Sequence, residues 1–258
     1  MKLLRFVTGQ LLPPLALLVV VLAIWQGVVR YFEIPLFLLP APSDVFASAR
    51  TNAAMLLTAT GYTLQAALLG FVCSLVLGTL VSFAFAQFPL ARRCGYPYAV
   101  FLQTVPIVAI APLVIAICGT NVRSVILVAT IISLFPIITN VTTGLLAIDP
   151  RLREYFRVQR ATRWQLLTKL QIPTAIPYLV TGAKTSSGLA MVGAIVGEFF
   201  AGYGQDRYGL GQLIQASSDT SRTERVMAAV IASALCGIAI FATVNLFAWL
   251  ALRRWTQA

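Results

Sequence analysis

Aspartate, glutamate, lysine and arginine are all absent from residues 6–29, 51–91, 94–122, 124–148 and 226–252. Each of these windows exceeds the ~20 apolar residues that a helix needs to cross a bilayer. Over all 258 residues the chain is 59% hydrophobic and 10% charged, where soluble domains carry about 25% charge. So little charge cannot cover a water-facing surface, and most of the chain is therefore built for lipid. A sixth apolar stretch, 170–197, is interrupted by Lys184 and closed by Glu198. Barrel strands would alternate over short segments rather than run apolar without a break. The expected fold class is all-α, with six transmembrane helices in a single domain spanning 1–258. The spans are placed at 11–30, 62–86, 97–118, 125–146, 178–199 and 226–250.

Charge also orients the chain. Segments on the N-terminal side of the membrane hold Lys2, Arg5, Arg92, Arg93, Arg151, Arg153, Arg157, Arg160, Arg163, Lys169, Arg253 and Arg254. Loops on the other side hold Arg30, Arg50, Arg123, Arg207, Arg222 and Arg225. Twelve bases against six place both termini in the cytoplasm by the positive-inside rule. The net charge of +11 is thus topological, and the partner it implies is the lipid bilayer rather than nucleic acid. Lys2 and Arg5 before an apolar stretch also fit a signal peptide, but the stretch is long for one and no small-residue cleavage site follows.

Several chemistries are excluded. The chain has no histidine, so neither a histidine-ligated metal nor a His-based triad is available. Cys73, Cys94, Cys118 and Cys236 are dispersed with no C-x-x-C pair. No G-x-x-x-x-G-K-[ST] run exists to cradle phosphates. No catalytic residue, metal site or cofactor is expected in this chain.

Two loops carry local signals. In the outer segment 31–61, Pro40-Ala41-Pro42 sets an extended entry, Ser43 or Asp44 fits an N-cap, and Val45, Phe46, Ala49, Ala53, Leu56 and Leu57 follow at amphipathic spacing. In the inner segment 147–177, Asp149-Pro150 reads as a helix start, and a second short helix begins near Thr162. Arginines alternate there with Leu152, Tyr155, Phe156, Trp164, Leu166 and Leu167, while Pro173 and Pro177 lead back into the membrane. Such a pair of helices suits either an anionic lipid surface or a groove in a cytoplasmic partner.

Glu154, then Ala161-Thr162-Arg163-Trp164-Gln165-Leu166-Leu167, then Ile172-Pro173-Thr174-Ala175-Ile176-Pro177 resembles the cytoplasmic EAA loop of ABC importer permeases. The resemblance is to the sulfonate/nitrate/taurine and thiamine-precursor types. Leu39-Pro40-Ala41-Pro42-Ser43, Gln103-Thr104-Val105-Pro106, Ala111-Pro112-Leu113, Gly182-Ala183-Lys184, Gly197-Glu198 and Gly209-Leu210-Gly211 are similar to further family segments in the same order. The resemblance implies a type I importer fold and several partners. These are a second permease subunit (in a homodimer), two cytoplasmic ATPase subunits holding ATP and Mg, and an extracytoplasmic substrate-binding protein in a bacterial inner membrane. It implies that residues 149–175 form the ATPase-coupling loop, with Glu154, Tyr155, Phe156, Arg160, Ala161, Thr162, Trp164 and Pro173 as its contacts. The motif's two alanines are replaced by Tyr155 and Phe156, and its glycine falls at Arg160. Left-handed backbone at a non-glycine costs roughly 1–2 kcal/mol, so the loop is expected either to turn differently at Arg160 or to change shape.

Polar groups inside the spans mark the pathway candidates Gln103, Thr104, Asn140, Ser187 and Glu198. Gln65, Ser133 and Thr139 are further polar positions, and each serves an interhelical hydrogen bond equally well. Glu198 fits either a solvated headgroup position or a gate facing the second subunit. Lys184 fits a snorkelling side chain. Ser186, Ser187, Gly188, Gly193 and Gly197 give the fifth span a small-residue face, which places it at the centre of the bundle. The alternative function is a stand-alone secondary transporter, whose class shows inverted repeats and mid-membrane charge. Neither is visible here.

Overall fold

The computed structural model describes residues 12–202 and 208–253, the last three in backbone only. The elements are α1 (Leu12–Tyr31), α2 (Pro42–Thr51), α3 (Ala53–Gln87), α4 (Pro89–Thr104), α5 (Ile107–Cys118), α6 (Val122–Leu146), α7 (Pro150–Val158) and α8 (Arg163–Leu166). A π-helical turn (Leu167–Gln171), α9 (Ile172–Ala201), α10 (Leu210–Asp219) and α11 (Thr223–Arg253) complete the chain. No strand occurs among the described residues. Lys2, Arg5, Arg207 and Arg254, four of the bases that orient the chain, lie outside them, as does residue 11 of the first span.

Among the described residues five helices are long and apolar enough to cross a membrane, and the bent pair α4–α5 makes a sixth crossing if counted as one. The sequence reads 97–118 as one kinked span. The structure instead bends it by 103° between Thr104 and Ile107. Val105 is extended at φ −75°, ψ 124°, as the residue before a proline prefers. Pro106 supplies no N–H to continue the helix. Pro136 lies inside α6 without ending it.

Helix α6 is the most enclosed crossing, with half of its apolar window buried. It packs between α3 and α9. Since lipid tails are as apolar as leucine, helices associate here by close van der Waals fit, and small residues supply it. A Cβ on Gly193 of α9 would lie 2.7 Å from Ala129 Cα, and one on Gly78 of α3 would lie 2.8 Å from Ile137 Cβ. Val128, Ala129 and Ile137 are fully buried. Ser186 Oγ donates to Ser133 O at 2.6 Å, and Ser82 Oγ to Ile138 O at 3.1 Å, tying both neighbours to α6. Helix α9 also packs on α3, α5, α10 and α11. The centre of the bundle is thus shared between the fourth and fifth spans.

The outer amphipathic helix forms as α2, but its N-cap is Ala41 rather than Ser43 or Asp44. Asp44, three residues on, reaches back to accept from Ala41 N–H at 3.3 Å. Ser43 and Asp44 are occupied with α1: Gln26 and Arg30 both donate to Ser43 Oγ, at 3.1 and 3.2 Å, and Arg30 pairs with Asp44 at 3.3 Å.

Candidate functional site

At the arginine-rich end, α7 and α8 form a small projecting knob with local reasons for each boundary. Asp149 Oδ1 accepts from Arg151 N–H at 2.8 Å and Pro150 starts the helix, where its missing N–H is no loss. Thr162 and Gln165 cap α8 reciprocally. Thr162 N–H donates to Gln165 Oε1 at 2.8 Å, and Gln165 N–H to Thr162 Oγ1 at 3.2 Å. Between the helices Arg160 takes φ +51°. Ala161 N–H donates to Phe156 O and Arg160 N–H to Arg157 O, both at 3.0 Å, which is the Schellman pattern usually closed by glycine. The substituted arginine therefore keeps the left-handed turn.

No residue of α7 is buried. Tyr155 is 59% exposed and Trp164 71%. Glu154 is exposed and pairs with Arg157 at 3.4 Å, a contact too solvated to hold much energy. Phe156 is half-buried and meets Tyr155 edge-on, with ring centroids 6.1 Å apart. With Ala161, Glu154, Pro150, Arg153, Arg157 and Leu166 it lines a hollow of about 450 Å³. A tryptophan and a tyrosine held outward on capped helices, among arginines, make a contact surface and not a reaction centre. Pro173 lies in the first turn of α9, and Arg163 to Ala201 run as one 39-residue helical course.

Glu198 stands at the other end of that course. Only 5% exposed, it is not a solvated headgroup residue. Its Oε2 accepts from Thr63 Oγ1 at 2.8 Å and from Gly211 N–H at 2.9 Å, and Thr63 Oγ1 in turn accepts from Leu210 N–H at 2.8 Å. Two of the first N–H groups of α10, which lack helical partners, are thereby satisfied from α3 and α9. A Cβ on Gly209 would overlap the carboxylate, so this close approach requires glycine. The space beside Glu198, shared with Gln65 and Tyr62, is about 20 Å³, roughly one water.

The other pathway candidates separate. Gln103 and Thr104 are exposed at the α4–α5 break, and line a cleft of about 290 Å³ with Pro106, Ile110, Ile132 and Phe135. No lining residue is charged. Asn140 is half-buried and gives its amide to Pro136 O at 2.8 Å. Ser187 is fully buried with its hydroxyl on Lys184 O at 2.8 Å, so within one subunit it lines no open space. Thr63 escaped the sequence reading, because its partner lies 135 residues away. Gly209-Leu210-Gly211 was visible only through resemblance.

Residues 70–256 match the family profile described as binding-protein-dependent transport system inner membrane component. The chain is 33% identical over 238 residues to the riboflavin transport system permease protein RibX of Chloroflexus aurantiacus, covering 92% of this chain and 87% of that one. It is 29% identical to the formylaminopyrimidine transport permease protein ThiX of Halalkalibacterium halodurans, with coverage of 92% and 93%. Against the putative aliphatic sulfonates transport permease protein SsuC of Bacillus subtilis the identity is 27%, with coverage of 89% and 80%. Among solved structures, an inward-facing form of the MetNI methionine ABC transporter superposes with a TM-score of 0.52 at 22% identity. It covers 73% of this chain and 92% of that one, a likeness of fold.

Proposed function

The chain belongs to the binding-protein-dependent transport inner membrane family and is a permease subunit of an ABC importer; we propose that its α7–α8 knob is the surface on which the partner ATPase pushes. The chain is a transport subunit and not an enzyme, and hydrolysis belongs to a separate polypeptide. Its partners are an ATPase and a substrate-binding protein. The observation that carries the docking assignment is the knob itself. It is stiffened by two caps and a Schellman turn, turns Tyr155 and Trp164 outward, and leads without interruption into α9. Displacement of such an element reaches the bundle rather than dissipating in a loop.

In this reading Glu154, Phe156, Arg160, Ala161, Thr162 and Pro173 shape the coupling loop, the N- and C-termini face the cytoplasm, and ATP and Mg are held by the ATPase. A second copy of the same chain completes the pathway as a homodimer across the exposed apolar face of α4 and α5, which carries Phe101, Val108, Leu113 and Ile117. Solute passes the α4–α5 break, where Gln103 and Thr104 offer hydrogen bonds; Asn140 and Ser187 support the packing behind it, and Glu198 anchors α10. The absence of charge in the cleft, with two relatives named for riboflavin and formylaminopyrimidine, favours an uncharged heteroaromatic solute over an anion.

Affinity of the purified ATPase for W164A and Y155A permease in nanodiscs tests the docking assignment. Both side chains are largely exposed, so folding is unaffected. A hot-spot loss of about 2 kcal/mol lowers affinity about 30-fold. Unchanged affinity in both variants refutes the assignment.

A further inference from the structure

A buried polar node sits where the knob meets the bundle. Gln171, the last residue of the π-helical turn, is 7% exposed. Its Oε1 accepts from Gln87 Nε2 at 2.8 Å, and its own Nε2 donates to Leu145 O at 3.4 Å. Gln87 is the last residue of α3. Leu145 lies in the last turn of α6, where carbonyls have no partner within the helix. One amide therefore bridges the cytoplasm-facing ends of α3 and α6 and the start of α9.

The location matters because of what lies on either side. Residues 146–170 leave the bundle at α6 and return through the π turn, and Gln171 closes that excursion at its base by reaching Leu145. Helix α7 packs extensively on no spanning helix. Force on the knob thus enters the bundle through the two chain exits that Gln171 joins. The π turn adds a second, independent observation. π-helical turns are rare and hold one residue more than the α-helical register accommodates. Here Leu170 and Gln171 are buried while Lys169 is exposed, so the turn aims the amide inward.

We propose that Gln171 and Gln87 form a positioning pair that makes α3, α6 and α9 move together when the knob is displaced. This rests on the knob being the coupling loop. With the pair intact, displacement is shared among three helices. Without it, α9 and its π turn slide against α3, and hydrolysis proceeds with less solute moved.

The test is solute transported per ATP hydrolysed, measured in proteoliposomes holding the full complex, for Q171L, Q87L and the double variant. Each single variant is expected to lower that ratio about fivefold or more, the usual lower bound of a coupling free energy between sites. The double variant is expected to fall no further than Q171L, which already loses the bonds to both Gln87 and Leu145. Q171E, which keeps an acceptor for Gln87 but no donor for Leu145 O, is expected to recover only part of the ratio. A merely structural role reduces the amount of assembled complex and leaves the ratio of the surviving complexes unchanged. A wild-type ratio in Q171L, or additive losses in the double variant, overturns the proposal. W164A is run in parallel: loss there with none in Q171L defeats the node alone, whereas no effect in any variant defeats the coupling-loop assignment itself.

Discussion

Replacing Glu198 by alanine removes the acceptor that holds the N-terminus of α10. The Thr63 hydroxyl loses little, since its proton can turn to Ala59 O, 3.1 Å away. Among the described residues the Gly211 N–H has no second acceptor, so it becomes an unsatisfied buried donor. That costs about 1–3 kcal/mol. The penalty falls on local opening of α10, because α10 packs on α3, α9 and α11 through other contacts that the substitution leaves alone. Local opening is what amide exchange reads. Since 1.4 kcal/mol is tenfold in an equilibrium constant, exchange in the peptide covering residues 209–213 is expected to accelerate about 5- to 150-fold. The assay is hydrogen–deuterium exchange of the nanodisc-embedded protein, with peptides from α6 as the internal standard. E198Q, which retains an oxygen for Gly211, accelerates exchange less than E198A. Unchanged exchange in E198A refutes the claim that the carboxylate holds this helix. Equal acceleration throughout α6 refutes the claim that the effect is local.

Two further substitutions test the packing and the turn. G193V drives a branched side chain against Ala129 and Ile132 on α6; overpacking of this kind costs about 1–3 kcal/mol or more, so the melting temperature falls, whereas G188A, whose Cβ meets nothing within 4 Å, leaves it level or raises it slightly. R160G relieves a left-handed arginine worth roughly 1–2 kcal/mol against a smaller entropic loss, so thermal stability is expected to stay level or rise while R160P, which forces a negative φ, abolishes uptake.

Legibility in the sequence followed how local each cause was. The crossings could be read because charge in lipid is expensive wherever it falls, so charge-free windows mark them without any knowledge of neighbours. The knob could be read because Asp149-Pro150 and Thr162 to Gln165 are signals that act within four residues. The α4–α5 break was harder. Pro106 and Pro136 look alike in sequence, but α6 is clamped between two helices that hold its course, whereas α4 and α5 expose most of one face. The π turn was invisible, since Leu167-Thr168-Lys169-Leu170-Gln171 carries ordinary helix formers. Its extra residue answers to Gln87 and Leu145, far away along the chain. Glu198 was conspicuous as a carboxylate at a span end, but whether it faced water or protein depended on Thr63 and on glycines that only folding brings beside it.

Helix α1 buries a single residue, Val29, and joins the rest near one end, where its Gln26 and Arg30 reach Ser43 and Asp44 of α2. It resembles an outrigger more than a member of the bundle. A transplanted apolar segment of equal length, bearing the same glutamine and arginine, is expected to serve in its stead. Exchanges among its outward apolar side chains therefore leave the machine it accompanies undisturbed.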